Sequence, residues 1–105
     1  MTDKRLFEAY SLGPITLANR IVMAPLTRNR AGPDLVPSEH AATYYSQRAT
    51  AGLLIAEATQ VSAQAQGYQD TPGLYTAAQI AGWRKVTDAV HARGARIQLR
   101  SAIPD

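Results

Sequence analysis

The chain has 105 residues, 46% of them apolar and 18% charged, a balance that fits one small folded domain and excludes a disordered or low-complexity segment. Its net charge of +3, eleven basic against eight acidic residues, is scattered, unlike the concentrated basic stripe of a nucleic-acid binder. It has no cysteine, which excludes disulfides and thiolate metal sites, and no apolar run near the roughly 18 residues of a membrane span. The opening stretch MTDKRLFEAY is charged and lacks the apolar core of a secretory signal, so a cytoplasmic protein without membrane or nucleic-acid partners is expected.

The first predicted element is a short hairpin in YSLGPITLANRIVMAP. Leu12-Gly13-Pro14 marks its turn and Ala18-Asn19 a second one. Ile21 to Ala24 is a continuous apolar run, the pattern of a parallel strand buried on both faces. A polar loop with Gly32, Pro33 and Pro37 follows. Ser38 then reads as an N-cap, and a helix over EHAATYYSQRA presents Ala41, Tyr44, Tyr45 and Ala49 on one face. Gly52 suits the residue just past a helix end.

Leu53 to Ala56 is the second strand, closed by Glu57, Ala58 and Thr59. A long loop leads to Thr76 and Gln79, spaced as a capping box, and to a second helix with Ile80, Trp83, Val86 and Val90 as its buried stripe. Gly94 stops that helix, and ARIQL is a short third strand. The order strand, helix, strand, helix, strand is the grammar of successive βα units in a parallel α/β protein. Chemistry in such folds gathers at the carboxyl ends of the strands. Pro25-Leu26-Thr27 and Ala58-Thr59 stand at two of those ends, with Gln98 near the third.

Several polar residues there have two readings. Thr27 can donate to a ligand carbonyl or cap local backbone, and Arg28 and Arg30 can face an anion or solvent. Glu57 is either a buried acid or the partner of an arginine from a neighbouring strand end. Gln98 offers a donor and an acceptor to an amide-like ligand edge or to the next strand. His40 and His91 lie within predicted helices, with no acid or nucleophile paired to them, and read as structural or solvent-facing. No glycine-rich phosphate loop and no metal-ligand spacing is present.

Three stretches, LFEAYSLGPITLANRIVMAPLTRNRA, EHAATYYSQRATAGLLIAEATQVSAQAQGYQDTPGLYT and QIAGWRKVTDAVHARGARI, resemble the Old Yellow Enzyme family of flavin-dependent ene-reductases. The likeness runs from about Leu6 to Ile97. It implies the N-terminal portion of a (β/α)8 TIM barrel that holds FMN at the carboxyl ends of its strands. By the same resemblance Pro25, Leu26 and Thr27 line the flavin, the Thr27 hydroxyl bonding to its O4. Ala58 is the small residue that lets the ring approach, and Tyr68 shapes the substrate pocket. Family members take hydride from NADPH or NADH onto FMN and pass it to the β-carbon of an activated alkene.

The family's third strand runs Gln-Leu-Trp-His, its glutamine bonding to the flavin. Gln98-Leu99 matches that pair, whereas Arg100 stands at the tryptophan position. A complete barrel takes about 250 residues, so the chain supplies at most three strands and two helices. The family's substrate-anchoring pair, its proton-donating tyrosine and its phosphate-gripping residues have no counterpart here. The expectation is a truncated N-terminal segment, inactive alone, with no catalytic or metal-binding residue of its own. The other expectation is a non-catalytic α/β module that self-associates through an exposed sheet edge or docks onto another barrel fragment.

Overall fold

Tyr10–Leu12 (β1) and Ile15–Leu17 (β2) pair antiparallel across the two-residue turn Gly13-Pro14. The computed structural model describes residues 5 to 102, and this hairpin is the first of its two sheets. Asn19 then ties the second turn to a later part of the chain. Its amide donates to the Thr50 carbonyl at 2.8 Å, and its side-chain oxygen accepts from the Ile21 and Gly52 amides at 3.0 and 2.7 Å.

The second sheet is parallel, in the order β3-β4-β5, from Val22–Met23 (β3), Leu53–Gln60 (β4) and Arg96–Ala102 (β5). Helices Glu39–Ser46 (α1) and Ala77–His91 (α2) form the two crossovers. They pack on each other and on one face of the sheet. Ala41, Tyr45, Trp83, Val86 and Val90 meet Leu54 and Ala56 there, with Met23, Ile97 and Leu99 packed against the cluster. The strand–helix–strand–helix–strand order expected from the sequence is therefore the observed one.

Some details differ. Ile21 to Ala24 is not buried on both faces. Only Val22 and Met23 join the ladder, and Val22 is 49% exposed. Among the described residues β3 has a neighbour on one side only, and just one face of the sheet carries helices. The third strand is longer than expected because every residue from Arg96 to Ala102 extends alongside β4.

In α2 the buried stripe is Gln79, Trp83, Val86 and Val90, while Ile80 is 48% exposed. Gln79 takes the inward place because its amide is fully used. It completes the capping box with Thr76, and its Nε2 donates to the Asp34 carbonyl at 3.1 Å. Ser38 stands at the N-cap of α1 without a side-chain cap bond. That helix ends at Ser46, short of the expected Ala49, in turns closed by i to i−3 bonds.

The two glycines read as helix stops act differently. Gly94 has φ of +86°, the left-handed conformation expected after a helix. Gly52 lies five residues beyond the C-cap Gln47. A Cβ there would come within 2.3 Å of the Asn19 carbonyl oxygen, so close backbone approach is what requires glycine.

Candidate functional site at the carboxyl edge of the sheet

Register decides which residues face which way. Ile55 pairs with Gln98 and Ala58 with Arg100, so β4 carries one residue more than β5 across this interval. Such a bulge re-aims the side chains around it. Leu99 packs toward the helices, so Gln98 and Arg100 point to the opposite, uncovered face. Ala58, the partner of Arg100, shares that face, whereas Ala56 and Glu57 are both buried.

Glu57 sits in a dense polar contact. Its Oε2 accepts from Arg28 Nε at 3.1 Å and from the Tyr45 hydroxyl at 2.6 Å, and its own amide donates to that hydroxyl at 3.0 Å. The Arg28–Glu57 pair is nearly enclosed, with side-chain exposures of 11% and 3%. The guanidinium lies 3.9 Å from the centre of the Tyr44 ring, a stacking distance that adds cation–π attraction. Burial holds the Tyr45 phenol far above its ordinary range, and the bond to Glu57 raises it further. Both readings of Glu57 hold at once: it is buried, and it pairs with an arginine past the neighbouring strand end.

The loops that leave β3 and β4 are laced together beside this pair. Asn29 donates to the Gln69 carbonyl at 2.6 Å, and the Ala31 amide to the Asp70 carbonyl at 2.9 Å. Gln60 and Thr71 bond through both side chains and backbone. Four non-glycine residues here have left-handed φ: Asn29, Asp34, Leu35 and Asp70. Asn and Asp tolerate this conformation through local side-chain bonding, while Leu35 is strained by it.

The residues named from the sequence fall around this rim except Gln98, expected near the end of the third strand: it pairs with Ile55 and β5 runs four residues further to Ala102, so Arg100 is the residue opposite Ala58. Pro25, half-buried, and the exposed Leu26 and Thr27 directly follow β3. Ala58, half-buried, and Gln98, exposed, share the uncovered face of adjacent strands. Tyr68 is 69% exposed in the loop after β4, and its contacts are backbone ones, its carbonyl accepting from Gln66 and Thr71. Among the described residues neither the Thr27 hydroxyl nor the Gln98 amide has a hydrogen-bond partner. No group of three or more metal-ligating side chains occurs among them either. The Tyr45 link and the loop lacing escaped the sequence reading. A signal did exist for Gln79, a glutamine at the third position of a capping box, whose amide was bound to be occupied.

A parallel α/β unit with helices on one sheet face and a polar carboxyl rim on the other defines the class: a βαβαβ segment of an α/β enzyme fold. Comparison makes this particular. The chain belongs to the NADH:flavin oxidoreductase / NADH oxidase family, whose model matches residues 5–102.

It is 57% identical over 96 residues to a putative 12-oxophytodienoate reductase 2 of Oryza sativa subsp. japonica, covering 90% of this chain and 25% of that protein. It is 51% identical over 98 residues to a chanoclavine-I aldehyde reductase of Penicillium roqueforti, covering 91% and 27%. Among solved structures it matches morphinone reductase in complex with tetrahydroNAD at a TM-score of 0.90, with 51% identity over 96% of this chain and 28% of that one. The old yellow enzyme homologue from Zymomonas mobilis gives 0.89, with 46% identity over 93% and 28%. The chain thus spans about a quarter of the length of the relatives it matches. The resemblance to Old Yellow Enzymes read from the sequence is thereby confirmed. Among the described residues no helix is long and apolar enough to cross a membrane.

Proposed function

We propose that this chain is the flavin-facing N-terminal part of an FMN-dependent ene-reductase barrel, cytoplasmic and inactive alone. The observation that carries the reading is the pair of uncommitted polar side chains Thr27, just past β3, and Gln98, within β5, with the small Ala58 further along on Gln98's face. This donor set fits the group. A hydroxyl can donate to a ring carbonyl, a primary amide can both donate and accept along an imide edge, and a methyl side chain leaves room for a flat ring. Pro25 and Leu26 would line the ring and Tyr68 the space for substrate.

FMN, when bound, supplies hydride transfer from NADPH or NADH to the β-carbon of an activated alkene such as an enone or maleimide. Thr27 would offer a donor to the ring's carbonyl edge, where it would stabilise negative charge. Gln98 orients the ring's polar edge, and Ala58 sets the depth of approach. Steps that anchor the alkene or donate a proton need groups supplied by the later part of the barrel.

The test is an FMN titration of the purified chain with absorbance and sedimentation read together. Weak, saturable binding without NAD(P)H turnover is expected. Stoichiometric FMN with NADPH-dependent bleaching and turnover by a monomer would overturn the claim that the chain is inactive alone. A second reading is a non-catalytic module that self-associates or docks onto another barrel fragment. It is favoured by the apolar surface at Val22, Ile21 and Leu26 and by β5, which has one neighbour only among the described residues. A colourless oligomer would support it.

A further inference from the structure

Thr27 lies four residues past Met23, the last residue of β3 in the sheet ladder. Strand pairing therefore does not fix it. The next residue, Arg28, crosses to β4 and bonds to Glu57, which immediately precedes Ala58. Two candidate flavin contacts, one in the segment past β3 and one on β4, are thus joined through their chain neighbours.

Both ends of the link make further contacts. At Arg28 the guanidinium is stacked on Tyr44 and lies 5.4 Å from the Tyr45 ring centre, and its carbonyl accepts from Arg30 Nη1 at 2.6 Å. At Glu57 the Tyr45 hydroxyl holds both the carboxylate and the backbone amide. The bulge in β4 keeps Glu57 buried and returns Ala58 to the open face. Tyr45 belongs to α1, so the helix that crosses from β3 to β4 also references the link to the core.

We propose that Arg28, Glu57 and Tyr45 form a positioning network that sets the Thr27 segment against the Ala58 segment, and so fixes the spacing at which the rim receives FMN. This rests on the flavin reading of the rim given above. Arg28 and Glu57 touch neither substrate nor cofactor and act through their neighbours. The geometry asks for arginine, since its fork bonds the carboxylate from Nε while the guanidinium plane covers Tyr44.

The experiment uses the whole 105-residue chain, 15N-labelled, as wild type and as Arg28→Lys, Glu57→Gln and Tyr45→Phe. Arg48→Lys is the control, since Arg48 also stacks on Tyr44, at 3.8 Å, without bonding Glu57. Backbone order parameters at Leu26–Arg28 and at Ala58 are read first. In Glu57→Gln and Arg28→Lys both segments should fall together from the rigid value of about 0.85 toward about 0.6, with Val86 and Val90 unchanged.

FMN is then titrated into each variant. Affinity should drop about tenfold in Arg28→Lys and Glu57→Gln, the loss expected for a charge-assisted hydrogen bond, and stay level in the control. Loosening of the mutated segment alone, or a uniform loss reaching α2, would refute positioning. Coupled loosening with unchanged FMN affinity would also refute it. No saturable FMN binding by wild type would instead overturn the flavin reading on which the network's purpose depends. Arg28→Lys retains the charge, so it remains informative if Glu57→Gln does not fold.

Discussion

The two faces of the parallel sheet are built on opposite rules. On the helix side apolar side chains interlock, and Gln79 and Glu57 beside them are paired, the one in its capping box and the other with Arg28 and Tyr45, while the buried Trp83 indole N–H has no partner among the described residues. On the other side Val22 and Gln98 are exposed, and the Gln98 and Thr27 side chains are unbonded among the described residues. The first face is finished by this chain's own residues. The second offers donors, acceptors and apolar surface. One sheet thus has a packed face and an open face, and the proposed flavin contacts Ala58 and Gln98 lie on the open one.

Breaking the finished face should have the largest effect. Trp83→Ala removes a 1%-exposed indole from the centre of the core and should cost about 3–5 kcal/mol in urea unfolding. A loss below about 1 kcal/mol would mean that α2 does not depend on the core as described. Glu57→Ala leaves the Arg28 guanidinium largely buried without its carboxylate. It should cost about 3 kcal/mol, somewhat less if Arg28 swings out to water. The same denaturation experiment checks it, and near-neutral stability would show that the pair is not closed.

Smaller effects sharpen the contrast. Gln79→Ala opens the capping box and the bond to Asp34, an expected loss of about 1–2 kcal/mol with fraying at Thr76–Ala78 in amide exchange. The Tyr45 phenol adds a mild alkaline sensitivity. Its folded-state ionisation is raised above the ordinary value of 10.0, so its contribution is complete below that pH. Above about pH 10 the unfolded chain ionises first and stability declines as pH rises. Tyr45→Phe should flatten that decline in a pH series of melting temperatures, and an unchanged slope would contradict it.

Much of the finished face was legible in the sequence. The apolar run of β4, the spacing of Trp83, Val86 and Val90, and the Thr76–Gln79 pair each carry local patterns that survive packing. The inward place of Gln79 and the role of Gly52 were not fully legible, because each involves a distant partner, the Asp34 carbonyl for Gln79 and the Asn19 carbonyl for Gly52. The burial of Ile21 to Ala24 was overread for a related reason. An apolar run records that a strand will be covered, but says nothing of whether residues of the same chain do the covering.

Residue type and strand-end placement pointed to Thr27, and the family resemblance to Ala58, whereas the strand end expected near Gln98 lies beyond it because β5 runs on to Ala102. The bulge that puts Ala58 and Gln98 on one face cannot be counted from spacing, since one inserted residue reverses the alternation. Glu57 showed as one of two possibilities, and only the fold selects its partner.

The central claim is that Thr27, Ala58 and Gln98 together receive a flat, electron-accepting ring. Its most direct test is FMN fluorescence quenching by wild type and by Ala58→Leu, with circular dichroism taken on the same samples. The larger side chain points to the uncovered face, so the fold should be retained and quenching abolished. Equal quenching by both proteins would place the flavin elsewhere and contradict the account.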